Sequence, residues 1–478
     1  MKTPLFDKIA NHISLGMTGF HTPGHQQGHG CSEEFNEEIR EFLLKMDLTE
    51  LSGLDNLKYP VGCIKEAQTL AARVFDARQT FFLVNGSTVG LQAAILALNR
   101  PQGKAIVSRQ ALISILNAFV LSGGYPVIAP VMVDYEWGIA LGTRAEKLMP
   151  IIEKNPDAQA VILTQPSYHG VAVDFAQMMR ITTQKGIPLI ADEAHGSHLY
   201  FQDMLPISAQ KHKADIVVQS THKTLGALTQ ASMLHVNTEK WIKPVRRALD
   251  ILQTTSPSYL LMASLDCVQS QMHKEGNALL EKTFELAQKL CASIRNLSGY
   301  RIFADELDAP WYSDPTKLVI SATGIGLTGW ELAAILRQRY SIEVELSDYF
   351  FVLIVLTIGH SSEDITRLSK ALEHICIDER KKAKEALSRP ASLYEDEVRL
   401  CLTPRQVFET QSEETLLAES AGRIAGEPLT VYPPGIPLVW PGQIIERQHL
   451  DYLHWAARHG FKIQGVSAGN LLTVLKEG

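Results

Sequence analysis

The sequence predicts an α/β protein with a large domain on a mostly parallel sheet, a smaller α+β domain behind it and a C-terminal extension domain. Three observations predict it. Between residues 63 and 290, short apolar runs alternate with segments whose apolar residues recur at helical spacing, the pattern of a parallel sheet covered by helices on both faces. From residue 291 a second, shorter alternation begins, and from about residue 396 proline-broken runs take over. The length, 478 residues, is too great for one ordinary core and calls for several domains.

An N-terminal segment, residues 1–62, precedes the large domain of residues 63–290. Its predicted strands are TFFLV, KAIVS, YPVIAPV, AVILTQ, IPLIAD and DIVVQS. Between them, VGLQAAILAL and SILNAFVLS have the spacing of crossover helices. In the small domain, residues 291–395, KLVISA and FFVLIVLTIG read as strands, and WELAAILRQRY and EDITRLSKALEHI as helices. DERKKAKEALSRPASLYEDE reads as a helix running into a linker. In the C-terminal domain, residues 396–478, the prolines of VYPPGIPLVWPGQ predict a rigid irregular loop.

Composition narrows the function. Hydrophobic residues at 45% and charged residues at 20% are ordinary for a globular enzyme, and a net charge of −7 gives no basic face for nucleic acid. The N-terminal MKTPLFDKIANHISLGM is interrupted by Asp7, Lys8 and Asn11, so neither a signal peptide nor a membrane span is expected, and a cytoplasmic location is the default. The six cysteines (Cys31, Cys63, Cys267, Cys291, Cys376, Cys401) form no C-x-x-C pair, which predicts reduced thiols rather than a disulfide framework or zinc site.

In open parallel sheets, ligands sit beyond the carboxyl ends of the strands. Three such ends are chemically loaded. The first runs from FFLV through Asn85-Gly86-Ser87-Thr88 into a helix; Ser87 or Thr88 can cap that helix, and its free N–H groups suit a phosphate, although a plain capped helix has the same pattern. The second is ADEAHGSHLY, residues 191–200, where Asp192 ends a strand. The third is ADIVVQSTHKTLGA, which sets Lys223 just past a strand in the turn Ser220-Thr221-His222-Lys223. Asp192 and Lys223 are separated by about one strand–helix–strand unit, so both can emerge at one sheet edge. Phosphate cradle, carboxylate and lysine together are what pyridoxal 5'-phosphate needs: an anion site, a partner for the pyridine nitrogen and an amine for the Schiff base.

With NGST, ADEAHGSH, STHKTLGALTQAS and TTSPSYLLMASLD, and also FHTPGHQQGHG, DLTELSGLDNLKYPVGCIKEAQ and YPPGIPLVWPGQ, the chain resembles the Orn/Lys/Arg decarboxylase family over nearly its whole length. The resemblance implies a pyridoxal-phosphate-dependent transferase-like fold (fold type I), in a short form without the N-terminal wing domain of the family's large enzymes. It implies Lys223 as the Schiff-base lysine, Asp192 at the pyridine nitrogen and His195 near the cofactor's phenolic oxygen. Ala194 would lie against one ring face, Gly86, Ser87, Thr88 and Ser220 would hold the phosphate, and His222 would sit beside the reacting centre. It further implies a carboxy-lyase acting on a basic L-amino acid, with arginine favoured and lysine and ornithine close behind, feeding polyamine metabolism. A homodimer or higher homo-oligomer is also implied, with residues 254–259, TTSPSY, reaching the neighbouring subunit's phosphate.

Two departures stand out. Where the family shows R-N-x-H-K-S, with a histidine stacked on the ring, this chain has Arg109-Gln110-Ala111-Leu112-Ile113-Ser114; Leu112 covers a ring by apolar contact but cannot stack or donate a proton. Gln26 stands where PGH is commonly followed by lysine.

Other readings are an aminotransferase of the same fold and a cofactor-binding protein with lost or altered turnover, the latter motivated by Leu112. A metal site is not expected. His21, His25 and His29 lie among Pro23, Gly24, Gly28 and Gly30, which disfavour a helix, so they read as loop residues near the site. Gly324-Ile325-Gly326-Leu327-Thr328-Gly329 is formally G-x-G-x-x-G, with Glu343 and Glu345 about where a ribose-binding acid is sought, but it lies in the small domain and Thr328 suffices as a helix start.

Overall fold

A computed structural model describes residues 9, 11–379, 390, 393–433 and 435–476. Most of DERKKAKEALSRPASLYEDE lies outside the described residues. The large sheet has seven strands: β1 (Gln79–Leu83), β2 (Lys104–Ser108), β3 (Tyr125–Ala129), β4 (Ala160–Thr164), β5 (Leu189–Asp192), β6 (Ile216–Gln219) and β7 (Ser232–Val236). Their spatial order is β1-β7-β6-β5-β4-β2-β3. All neighbours are parallel except β7, which runs antiparallel to both β1 and β6.

Side-chain alternation explains why these runs are apolar throughout. Ala105 and Val107, Ala160 and Ile162, Ile190, and Ile216 and Val218 join the core on one face of the sheet. Ile106, Val161, Leu189, Ala191 and Val217 join the core on the other. Each strand is therefore buried on both sides, and period-two alternation sends successive residues to different cores. Asp192, next after Ala191, shares its side of the sheet with Ile190 and ends β5 where the apolar run stops.

A four-stranded antiparallel sheet, Arg301–Ile302, Lys317–Ser321, Val352–Val355 and Leu346–Ser347 in that spatial order, forms the second lobe. Helices Gly329–Tyr340 and Ser362–Asp378 and the end of the 37-residue helix Tyr259–Arg295 pack over it. That long helix crosses residue 290, where the large domain was expected to end. The N-terminal segment joins the same lobe, since Thr18–Phe20 pairs in parallel with Ile342–Val344.

VYPPGIPLVWPGQ departs from the expected irregular loop. Val431 and Tyr432 complete the strand Leu429–Tyr432, and Pro437–Val439 forms an edge strand beside it. An edge strand tolerates proline because one side of its backbone needs no ladder partner. Among the described residues, no helix is long and apolar enough to cross a membrane.

Candidate active site

Asp192 and Lys223 emerge at the same sheet edge. Asp192 is the last residue of β5, opposite Thr164 of β4 and Val218 of β6, and is only 2% exposed. Lys223 lies one short turn beyond β6, in the helix Thr221–Thr224. Its Nζ is 3.0 Å from His195 Nε2. Ala194 donates its backbone N–H to Asp192 Oδ1 at 3.2 Å. Burial raises the Asp192 pKa, while the Lys223 cation and the Ala194 N–H pull it back. Burial lowers the Lys223 pKa against the pull of Asp192 and Glu345.

The expected phosphate residues converge in part. Ser220 donates from its hydroxyl to Ser87 Oγ at 2.8 Å, joining the β6 turn to the start of helix Gly86–Leu98. The expectation that Ser87 or Thr88 caps this helix is corrected: the N-cap is Asn85, and it makes no side-chain capping bond. Ser87 and Thr88 instead occupy the first turn, where backbone N–H groups have no intrahelical acceptor. Gly86 takes φ +68°, the left-handed region, and gives its N–H to Gln230 O at 2.9 Å. Thr88 is exposed.

The histidines sort by their hydrogen bonds. His195 is buried, and burial together with Lys223, Lys317, His222 and His169 holds its pKa well below the usual value, so the ring is neutral. His222 Nδ1 faces Ala231 O at 3.0 Å, which places the proton of the neutral ring on Nδ1. Burial pushes the His222 pKa down to about 4. The loop with His21, His25 and His29 reaches the lysine turn as expected: Gly24 donates its N–H to His222 O at 2.8 Å. Interlocked glycines make that approach possible, since a Cβ on Gly24 would lie 2.8 Å from Leu225 O and one on Gly226 would lie 2.2 Å from Gly30 O.

Asp192, Ala194 and His195 line one cavity with Leu112, which is partly buried at the N-cap of helix Ile113–Ser122. Its walls also include Gln110, Thr164, Tyr168 and Ile436, none expected from the sequence. Tyr168 follows the carboxyl end of β4, so the strand-end rule that singled out Asp192 also applies to it. Its ring lies 4.6 Å from that of His195, and its hydroxyl donates to Glu345 Oε1 at 2.7 Å. Glu345 Oε2 accepts the Thr22 N–H, also at 2.7 Å. Burial raises the Tyr168 pKa, and Glu345 adds to the shift.

The residues fit a pyridoxal phosphate ring. A buried carboxylate faces a cavity with a small residue and an aliphatic side chain on its walls, and Gln110 Oε1 and Thr164 Oγ1, both in that lining, are buried without partners. His195 Nε2, 3.0 Å from Lys223 Nζ, lies within reach of whatever that amine would bond. Among the described residues no group of three His, Cys, Asp or Glu side chains suits a metal.

Strand order and site together define a pyridoxal-phosphate-dependent enzyme fold of type I. The model for "Orn/Lys/Arg decarboxylase, major domain" matches residues 3–306, and that for the C-terminal domain matches residues 388–468. The chain belongs to the Orn/Lys/Arg decarboxylase family. It is 37% identical over 483 residues to an arginine decarboxylase of Bacillus subtilis and 35% identical over 482 residues to one of Bacillus anthracis, covering 100% of this chain and 98% of each relative. In fold it is similar to the Francisella novicida lysine decarboxylase LdcF (TM-score 0.81, 19% identity), over 94% of this chain and 78% of that one.

Proposed function

We propose that the chain is a pyridoxal-phosphate-dependent decarboxylase that converts L-arginine to agmatine and carbon dioxide. The observation that carries this is the pair Asp192 and Lys223 at the carboxyl ends of adjacent parallel strands, beside a cavity lined by Leu112, Ala194 and His195. The arginine decarboxylases it matches over full length favour arginine over lysine and ornithine.

Pyridoxal phosphate, when bound, supplies the electron sink into which the electrons of the broken carboxylate bond flow. Lys223 anchors it, helped by desolvation that favours the neutral, nucleophilic amine. Asp192 would pair with the ring nitrogen: a desolvated carboxylate with Lys223 beside His195 suits a protonated pyridine nitrogen as its partner. Gly86, Ser87, Thr88 and Ser220 hold the phosphate. Neutral His195, its Nε2 3.0 Å from Lys223 Nζ, hydrogen-bonds the amine and fixes its position beside the cavity that His195 itself lines. His222 spends its Nδ1 proton on Ala231 O, leaving Lys223 to return the proton to the substrate carbon.

Glu345 is our candidate for the distal cation. Its carboxylate is held by Thr22 and Tyr168, keeps lone pairs free for a guanidinium, and interacts electrostatically with Lys223.

The site is completed in a homodimer or larger homo-oligomer: Thr254, Thr255 and Ser256 are exposed before helix Tyr259–Arg295 and present hydroxyls to a neighbour. Incubation with arginine, lysine and ornithine separately, with products identified by mass, tests the assignment. Agmatine is expected; keto acids would identify an aminotransferase, and no product from any of the three would leave a cofactor-binding protein without this turnover.

A further inference from the structure

A second lysine is sealed beside the site. Lys317 opens the strand Lys317–Ser321 of the small lobe and is 2% exposed. Its stem lies against the turn that carries Tyr168: a Cβ on Gly170, which holds φ +85°, would stand 3.0 Å from Lys317 Cβ and 3.1 Å from its Cδ. Its Nζ donates to Tyr168 O at 3.3 Å. Tyr168 packs on His195, and His195 meets Lys223, so the two lysines flank one aromatic pair.

Asp314, three residues before Lys317, is fully buried; its Oδ2 lies 3.0 Å from His198 Nε2, and its Oδ1 accepts from the Thr316 hydroxyl at 2.7 Å and the Thr316 N–H at 2.9 Å. His198 comes from the same ADEAHGSHLY segment as Asp192 and His195. Glu345, between the strands Ile342–Val344 and Leu346–Ser347, acts on Lys317 electrostatically, as do Lys223 and His195 from the carboxyl ends of the large sheet. Burial raises the Asp314 pKa, but His198, Lys317 and Thr316 outweigh it, and the carboxyl titrates below its ordinary range. Burial pushes the Lys317 pKa down to about 7, with Asp314 and Glu345 opposing the shift and Lys223 adding to it.

The geometry points to Lys317 as a positioning residue for Lys223: a buried amine that carries the positive charge of this cluster whenever the Lys223 amine is neutral and free to bond the cofactor. Two ammonium ions buried on either side of the Tyr168–His195 pair repel in a desolvated site, so one proton serves both lysines and they titrate as a pair. Lys223 yields its proton readily because Lys317, beside Asp314, is placed to hold one. The link also joins the lobes, since Asp314 and Lys317 belong to the small lobe while His198 and Tyr168 follow strands of the large sheet. This inference rests on Lys223 being the anchoring lysine.

The test uses full-length protein freed of cofactor and given pyridoxal phosphate across a pH series, with covalent uptake followed by absorbance and, after borohydride, by mapping the modified peptide. Lys317→Met keeps the buried stem and removes the charge; the midpoint for uptake is expected to move up by about one pH unit. Lys317→Arg keeps a cation at every pH and is expected to leave the midpoint at or below that of the unsubstituted protein. If the Met variant does not fold, the Arg variant decides, because a midpoint above that of the unsubstituted protein overturns the inference. A folded Met variant with an unmoved midpoint also overturns it. Cofactor trapped on a residue other than Lys223 in the unsubstituted protein would instead sink the reading of Lys223 itself, whichever way the variants behave.

Discussion

Two turns in this molecule look alike as sequence and differ as chemistry. FFLVNGSTVG and KLVISATGIGLTG each lead from a strand through glycine into a helix. In the first, Asn85 makes no side-chain capping bond, and Ser87 is joined to Ser220 from the neighbouring turn. In the second, Thr328 accepts the Glu331 N–H at 3.1 Å while Glu331 accepts the Thr328 N–H at 2.7 Å, a complete capping box. A Cβ on Gly329 would lie 2.1 Å from Phe351 O, so this glycine is explained by close packing. The strand before it belongs to an antiparallel sheet, which provides no nucleotide-binding crossover. A helix start that satisfies itself is structural; one left open beside other polar groups at a parallel sheet edge is available to a ligand.

Lys223→Ala tests the open turn's sheet edge most severely: we expect covalent cofactor uptake to vanish and kcat to fall by at least about 10²–10⁴-fold, measured by absorbance and agmatine release. Asp192→Asn, which removes the charge we propose for the ring nitrogen's partner, should lower kcat by about 10²–10³-fold with the protein still folded. The paired comparison comes next. Ser87→Ala with Ser220→Ala should weaken pyridoxal phosphate binding by about tenfold or more through lost charge-assisted hydrogen bonds. Thr328→Ala should cost about 1 kcal/mol of stability in a denaturant titration and leave cofactor affinity unchanged. A loss of affinity from the Thr328 variant would erase the distinction between the turns. Leu112→His should have the smallest effect: by adding an aromatic cover it should tighten cofactor binding by about two- to threefold, read from equilibrium titration.

Much of this was legible because the parallel sheet writes itself plainly. β1 through β6 are short, largely apolar runs, those at the centre buried on both faces, and their carboxyl ends lead into Asp192, Lys223 and the Ser87 turn. β7 escaped notice because Ser232 and His235 interrupt SMLHV; both are buried, with His235 satisfied by Thr80 at 2.9 Å and Gln219 at 3.2 Å. Glu345 drew attention only as a ribose partner for the glycine-rich turn, whereas its hydrogen bonds go to Tyr168 and Thr22. Nothing local distinguishes Lys317 from a surface lysine at a strand start, since its burial depends on Gly170 and Asp314 from distant and neighbouring turns. Long-range contacts of this kind leave no periodicity to read.

The most direct measurement is borohydride reduction of the cofactor-loaded protein followed by digestion and peptide mass mapping. We predict a single pyridoxyl-phosphate adduct on the peptide containing Lys223. An adduct on Lys317 or elsewhere, or no adduct in protein saturated with pyridoxal phosphate, would contradict the account.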